Sequence, residues 1–598
     1  MQRESIYHIN DIPYLFTIGK HEVKIRIRAK RGDVRHCALL HSDRYKSPGN
    51  GEAVKLELTA TTELHDYFEG VVYSATKRLR YQFLLTGFDG SQAWCGEYGV
   101  SDNRQAAGYF HCASVLAAYE VGPPTWVRNA IVYQIFPERF ANGNPAINPA
   151  GVRSWTSSEE PKSDSFYGGD LQGLFDKLPY LHDLGVNVLY LTPIFESPSH
   201  HKYDTSDYYS IDSHFGQLAD IRRVVDKAHA LNMKVVLDAV FNHSGDRFFA
   251  FQDVMKNGAD SKYKDWFFID RYPVVQSPEP SYESFGILSP SMPKLNTSHP
   301  EVVQYMLDVA KYWISEIGID GWRLDVANEI DHSFWRRLRQ EVKAIDRELL
   351  LVGEIMHQSG PWLRGDQFDG VMNYLLRDVL IGFFAEQRIT ARAFAEQLEA
   401  IRMHYTDSAN SAMFNLIGSH DTERFLTACA RSVWGWQDKQ EIARLKLAAL
   451  FQLTYTGMPM IYYGDEVGMT GGEDPACRKP MVWEEEKQNK SIHSHYKQLI
   501  ALRKEHPALR EGGFQMWFVE EADNALGYVR VLPDQRIGIV LNNSPNERTL
   551  KLDAPKGSEA HKVVPVFGSQ AWEWSNGQGK CTLPPYGASI VLFSLKAY

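Results

Sequence analysis

An eight-stranded (β/α)8 barrel with an inserted subdomain, flanked by two antiparallel β-sandwich domains, is the fold class this sequence predicts. Three observations predict it. Between Trp126 and His506, eight short β-branched or aromatic runs alternate with stretches of helical period. Segments of strand texture precede and follow that region. One connection inside it, Ser244–Thr297, exceeds the roughly 15 residues beyond which loops carry a function or a small fold of their own.

The first unit is expected over residues 1–122. His21–Lys30 alternates apolar and polar side chains, as do Ala53–Thr59 and Leu79–Leu84, and turns such as Ser47–Glu52 separate them. Gly122–Pro124 reads as the linker. The barrel is expected over residues 123–506. Its strand runs are Ala130–Phe136, Val186–Leu191, Lys234–Val240, Gly321–Leu324, Leu349–Gly353, Phe368–Met372, Met413–Ile417 and Met460–Tyr463. Helices lie between them. Ile221–Leu231 carries Ile221, Val224, Val225, Ala228 and Leu231 on one face. Glu301–Ile317 carries a stripe of Val303, Met306, Leu307, Ala310, Trp313, Ile314 and Ile317, with Gly318 at the stop. A doubly wound sheet is not supported, because no GxGxxG opens any of these helices. Residues 244–297 read as an inserted subdomain beside the barrel mouth. Strand texture returns in Ala525–Leu532, Arg536–Asn542 and Ala588–Leu595, which places a second β-domain over residues 507–598.

Composition narrows the function classes. The chain has 598 residues, 44% hydrophobic and 23% charged, which is ordinary for a globular protein and argues against extensive disorder. Its net charge of −10 gives no reason to expect a nucleic acid or an anionic membrane as partner. The longest apolar runs are far too short to span a bilayer. Met1–Asn10 is polar and has no secretory h-region, so a cytoplasmic location is expected. Six cysteines lie scattered without metal-ligand spacing and read as reduced thiols. The 30 Tyr, 30 Phe and 14 Trp exceed what is usual, and a surplus could line a binding cleft.

Catalytic residues of such barrels come from the C-terminal ends of the strands. Here the third run ends in Asp238-Ala-Val-Phe-Asn242-His243, the fourth in Arg323-Leu-Asp325, the fifth in Gly353-Glu354, and the seventh in Ser419-His420-Asp421. Any one of these acids could be a helix cap or a surface ion pair. Gathered at one barrel mouth, they would be costly as inert structure, since crowded and desolvated carboxylates raise one another's pKa. Paired carboxylates without a phosphate loop, metal-binding cysteines or a nucleophilic serine point to glycoside chemistry. Arg323 shares a strand face with Asp325 and is expected to hold it ionised as a nucleophile. Glu354 has no adjacent cation in sequence and suits the acid. Asp421 is left to bind sugar hydroxyls. A retaining pair predicts carboxyl groups about 5–5.5 Å apart.

Four motifs also carry a resemblance. DAVFNH (Asp238–His243), GWRLDVANE (Gly321–Glu329), GEI (Gly353–Ile355) and SHD (Ser419–Asp421) resemble the ordered signature regions of the α-amylase glycosidase superfamily. MPKLN (Met292–Asn296) resembles the further signature of its neopullulanase, cyclomaltodextrinase and maltogenic amylase branch. The resemblance implies that Asp325 is the nucleophile, Glu354 the acid/base and Asp421 the transition-state stabiliser. It implies that His243, Arg323 and His420 hold the −1 sugar, that Tyr203 stacks on it, and that Asp474 and Arg478 bind the −2 sugar. Phe285, Trp362 and Tyr374 are candidate cleft aromatics, and Glu329 is a candidate for ordering acceptor-side water. Met356 stands where relatives commonly place Trp, and is expected to loosen stacking on the acceptor side.

Relatives in this branch often bind structural Ca²⁺, which here would fall to Asn142, Asn144, Asn148, Gly168 and Asp170. Amides stand where carboxylates are common, and Ile147 cannot ligate, so binding should be weak or absent. The resemblance further implies a homodimer in which one N-domain covers the partner's cleft, and cyclic and linear α-glucans as substrates. The expected activity is retaining hydrolysis of cyclomaltodextrins, maltooligosaccharides and pullulan, with some transfer. A glucanotransferase with the same triad, or a non-catalytic carbohydrate-binding scaffold, are the alternatives.

Overall fold

A computed structural model describes residues 1–46, 51–112, 122–156, 159–286, 289–431, 440–522, 524–568, 572–575 and 578–595. The expected turn at Ser47–Glu52 and the stretch leading into Gly122 lie partly outside the described residues.

Eight parallel strands form the central sheet: β1 (Val132–Ile135), β2 (Val188–Leu191), β3 (Lys234–Ala239), β4 (Gly321–Leu324), β5 (Leu350–Gly353), β6 (Gly370–Val371), β7 (Phe414–Leu416) and β8 (Met458–Tyr462). They pair in the order β6-β5-β4-β3-β2-β1-β8-β7. A single parallel bridge, Met372 to Phe414, joins β6 to β7 and closes the barrel. All eight overlap predicted runs, although Met458–Tyr462 starts and ends before the expected Met460–Tyr463 and Phe368–Met372 contributes just the two residues of β6.

Strand alternation divides the side chains into two layers. Val132, Val188, Tyr190, Val236, Leu350, Val352, Met372, Phe414, Leu416, Met458 and Met460 pack inside the barrel. Val235, Leu237, Trp322, Leu324 and Leu351 face outward to the helices. The same alternation carries Asp238 inward after Val236 and Arg323 inward between Trp322 and Leu324. Their Cα positions are paired across β3 and β4.

The covering helices are α1 (Leu171–Leu184), α2 (Leu218–Ala230), α3 (Pro300–Tyr312), α4 (His332–Ile345), α5 (Tyr374–Leu380), α6 (Ala391–Met403), α7 (Glu441–Thr454) and α8 (Lys490–Glu505). Helix α2 buries Ile221, Val224, Val225 and Ala228 as its periodicity predicts. Helix α3 opens on Pro300 and widens into a π-helical turn over Trp313–Ile317, which Gly318 ends in the left-handed conformation. The wider turn and earlier start correct the predicted stripe: Val302, not Val303, is the fully buried valine.

Between β3 and α3 the inserted stretch carries a helix at Phe249–Asn257 and bridges that tie it back, among them His243 to Lys294 and Phe267 to Leu295. The N-terminal segment is an antiparallel assembly around a core of Val23, Ile25, Leu39, Phe68, Tyr81 and Phe83. Its strand Glu52–Thr61 pairs with Val34–Ser42 at one end and His65–Tyr73 at the other, so it crosses between the two layers. After α8, antiparallel sheets of five and three strands form the C-terminal unit.

The N-terminal sheet is fastened to the barrel by buried charge. Arg26, fully buried, donates to Glu69 at 2.8 Å and to the carbonyl of Met403 at the end of α6 at 2.7 Å. On α6, Arg402 pairs with Glu399 at 2.6 Å and donates to the carbonyl of Thr59 at 3.1 Å.

Candidate active site

Arg323 organises the barrel mouth. Its Nη1 donates to both oxygens of Asp238, at 2.9 and 3.0 Å, and to Asp325 Oδ1 at 2.7 Å. Its Nη2 lies 2.6 Å from Glu354 Oε1, and its Nε faces Met372 Sδ at 3.3 Å. One guanidinium therefore meets three carboxylates from three adjacent strands.

This corrects two expectations. Glu354, which lacks a cation in its own sequence neighbourhood, receives one across the β4–β5 pairing. Arg323 does not single out Asp325 for easy ionisation. Burial and the charge of Glu354 together push the Asp325 carboxyl well above its ordinary value, and Arg323 opposes them without prevailing. Asp238 is pushed up to about 6 by burial, against the pull of Arg323 and of the Tyr190 hydroxyl.

The segment after β4 fixes the nucleophile candidate against the acid candidate. Val326 adopts φ +43°, a strained conformation for a β-branched residue, and its N–H donates to Glu354 Oε2 at 3.0 Å. The Glu354 N–H donates to the Leu324 carbonyl at 2.8 Å, and the Ala327 N–H to the Glu354 carbonyl at 3.2 Å. Glu354 is thus held through its backbone and one side-chain oxygen to the residues on both sides of Asp325.

A hydrogen-bonded chain runs to the other side of the mouth. The Tyr203 hydroxyl donates to Asp238 Oδ2 at 3.1 Å and lies 2.6 Å from His420 Nε2, its ring parallel to the imidazole at 5.6 Å and 6°. The Gln134 side-chain amide donates to His420 Nδ1 at 2.7 Å. That makes Nδ1 the acceptor and leaves the proton on Nε2. Burial keeps this ring neutral, with its pKa well below the usual range. His420 Nε2 also lies 3.3 Å from Asp421 Oδ2. Arg478 closes the series, pairing with Asp421 at 3.1 Å and Asp474 at 3.0 Å and donating to the His420 carbonyl at 2.7 Å.

His243 stands nearby, with Nε2 buried and without a hydrogen-bond partner, and burial lowers its pKa to about 3. Phe285 stacks on its ring at 4.8 Å and 17°. Tyr374 is 4% exposed and turns its hydroxyl to Ser419 at 3.3 Å, beneath the mouth rather than along an open cleft. Trp362 packs between His332 and His357. Met356 is 52% exposed. Glu329 is paired with Lys294 at 2.9 Å. Asp238 was placed at the mouth from sequence but given no role, and Tyr190, Gln134 and Met372, which also belong to the site, were not assigned to it. The one signal available was the position of Asp238 at the end of a strand bearing Asn242 and His243.

The residues expected to hold Ca²⁺ also gather. Asn142 Nδ2 donates to Asn148 Oδ1 at 3.0 Å, beside Gly168, where an added Cβ would fall 2.4 Å from Asn148 Oδ1. Asn142 Oδ1 is buried and lacks a hydrogen-bond partner. Asp170 accepts the N–H groups of Gly173 at 2.7 Å, capping α1, and of Asn144 at 2.7 Å. Asn144 itself caps the short turn Pro145–Ile147. The donor set of oxygen atoms fits a hard cation in kind, with one carboxylate among amides and carbonyls. Among the described residues no cluster of three or more His, Cys, Asp or Glu is disposed to hold a metal.

Three family models match the chain: "Alpha amylase, catalytic domain" over residues 134–512, "Alpha amylase, N-terminal ig-like domain" over 1–116, and "Maltogenic Amylase, C-terminal domain" over 514–590. The chain belongs to the α-amylase family. Within that family it is 47% identical to neopullulanase 2 of Thermoactinomyces vulgaris over 99% of both chains. It is 45% identical to a cyclomaltodextrinase of Geobacillus thermopakistaniensis over 100% of both. A solved cyclomaltodextrinase structure superposes with a TM-score of 0.93 at 40% identity, covering 99% of this chain and 100% of the other. This α-amylase family member is a glycoside hydrolase of the cyclomaltodextrinase, neopullulanase and maltogenic amylase type. Among the described residues no helix is long and apolar enough to cross a membrane.

Proposed function

We propose that this protein is a retaining α-glucan hydrolase that cleaves α-1,4-glucosidic bonds in cyclomaltodextrins, maltooligosaccharides and pullulan, with some transfer to sugar acceptors. The observation that carries the reading is the Arg323 guanidinium set between Asp325 and Glu354. Two buried carboxylates flank one cation, and the chemistry needs Asp325 charged and Glu354 protonated. Asp325 attacks the anomeric carbon while Glu354 gives its proton to the departing glycosidic oxygen. A covalent glucosyl–Asp325 ester results. Glu354, now a carboxylate, takes a proton from water, whose oxygen displaces Asp325 and restores the original anomeric configuration. Where a sugar hydroxyl replaces that water, the product is a transfer product.

The −1 glucose stacks on Tyr203. His420, protonated on Nε2, and Asp421 bind its hydroxyls as the sugar takes the place of the contact between Tyr203 and His420. His243 offers its unpartnered Nε2 to the same sugar. Asp474 and Arg478 bind the next sugar, and Phe285 and Met356 border the cleft. Tyr374 supports Ser419 from beneath. Asn142, Asn144, Asn148, Gly168 and Asp170 would hold Ca²⁺ weakly, bracing the loop before α1 and taking no part in the chemistry.

We read the protein as a cytoplasmic homodimer. The names of the relatives support the substrate class. Exposed Tyr73, at the end of a strand, and exposed Tyr45, Leu64, Phe88 and Tyr98, in turns of the N-terminal unit, support that unit's use as a contact surface. Reducing-sugar release from β-cyclodextrin, maltotriose and pullulan tests the reading. Wild type should release sugar with retained configuration, read by proton NMR. Glu354→Gln should lose about 10²–10⁴-fold in kcat. No release by wild type would favour a binding scaffold, and cyclic products from starch would favour a transferase.

A further inference from the structure

A lysine next to Tyr203 occupies a place that is unfavourable twice over. Lys202 has φ +66°, a conformation that glycine adopts without strain and that a residue with a Cβ adopts at a cost. Its side chain is also 1% exposed, so an ammonium has been taken out of water. Both costs fall in the loop 197–206 that joins a two-stranded hairpin, Phe195–Glu196 and Asp207–Ile211.

The contacts of Lys202 lead away from the cleft and into the root of that hairpin. Nζ lies 2.7 Å from Asp212 Oδ2 and donates to the Ser197 carbonyl at 3.1 Å. The ammonium sits 5.2 Å from the centre of the Phe215 ring and 5.9 Å from that of Phe166. Asp212 is fully buried, and its Oδ2 also accepts the Ser197 N–H at 3.1 Å, while Oδ1 accepts the His214 N–H at 3.0 Å. One carboxylate therefore fastens both the start of the loop and its residue 202. The next residue, Tyr203, points the other way, into the barrel mouth, where its hydroxyl meets Asp238 and His420.

We propose that Lys202 is a positioning residue: its buried ion pair with Asp212 fixes the depth at which the Tyr203 ring stands against His420 and Asp238. The left-handed turn at 202 sends the two side chains to opposite sides, and the ion pair holds the lysine end. A ring that must lie flat against a sugar tolerates little drift, because displacements near 1 Å cost up to about 10²-fold in rate. The proposal rests on the glycosidase reading for the role of Tyr203 alone; the anchoring itself does not depend on it.

Lys202→Gly removes the backbone strain and the ammonium together, and Lys202→Met removes the ammonium while keeping much of the buried stem. Both should lose about tenfold or more in kcat/KM on β-cyclodextrin. In a Tyr203→Ala background, Lys202→Met should cost less than about twofold further, because its effect passes through the missing ring. Amide hydrogen exchange of residues 197–206 should rise in Lys202→Met with the barrel strands unchanged. A fully active Lys202→Gly would overturn the proposal, since the backbone conformation alone would then suffice. So would losses that add in the Tyr203→Ala background, or loop exchange that stays at the wild-type level. If wild type releases no sugar from β-cyclodextrin, the glycosidase reading fails, and the exchange measurement still decides whether Lys202 anchors the loop.

Discussion

Asp325 is buried beside Glu354 at one shared guanidinium, and this sets the pH behaviour of the site. Asp325 must be ionised to attack, and burial with Glu354 raises its pKa. The acid limb of kcat/KM should therefore lie above the ordinary carboxylate range of about 4. Replacing Glu354 by Gln removes a negative neighbour, so Asp325 stays ionised to lower pH and the limb moves toward acid. Maltosyl fluoride, whose leaving group needs no proton, allows the variant to be measured. A limb that stays or moves upward contradicts the scheme. Stability follows the opposite sign. Asp238 has a folded value of about 6, above its unfolded 3.8, so its contribution is full below 3.8 and is lost as pH rises through 6. Met356 provides a separate test: Met356→Trp should shift products from transfer toward hydrolysis or the reverse, as chromatography of maltotriose digests would read. Identical profiles would remove Met356 from the acceptor side.

Strand ends are where reading from sequence worked best, because the two-residue period and the C-terminal position suffice to aim a side chain into a barrel mouth. Asp325, Glu354 and Asp421 were legible on those grounds, with Arg323 on the same face as Asp325. The contact of Arg323 with Glu354 was not legible, since it depends on which residues stand opposite across β4 and β5. Gln134, Tyr190 and Met372 were missed for the same reason: each looks like an ordinary strand residue until the register is known. Tyr374 and Trp362 show the converse, since aromatic identity alone does not tell packing from platform. The loop before α1 offers an element-level test. Asn148→Asp adds a carboxylate beside Asn142 and Gly168, so millimolar Ca²⁺ should raise the melting temperature of the variant more than that of wild type. Equal shifts would place Ca²⁺ elsewhere or nowhere.

The three units behave as one body if the charges between them matter. Arg26 and Glu69 on the N-terminal sheet meet Met403, Arg402 and Glu399 of α6 where little water reaches. Arg26→Leu leaves Glu69 buried without its closest cation, and should cost about 3–5 kcal/mol in chemical denaturation. The loss should appear as an earlier transition of the N-terminal unit. A change below about 1 kcal/mol would mean that water or Lys24 compensates.

The barrel itself is not uniformly closed. β6 has two residues, and it meets β7 through the Met372–Phe414 bridge, the Asn373 N–H to the Phe414 carbonyl at 2.9 Å, and the Asn373 and Asn415 side chains at 3.0 Å. Met372 is also the residue whose sulfur touches Arg323. The least-laced joint of the cylinder thus abuts the cation that every catalytic carboxylate of β4 and β5 leans on. Breathing of the barrel at that joint would be transmitted to the reaction centre before any other strand had parted, which makes β6 a mechanical weak point with a chemical consequence.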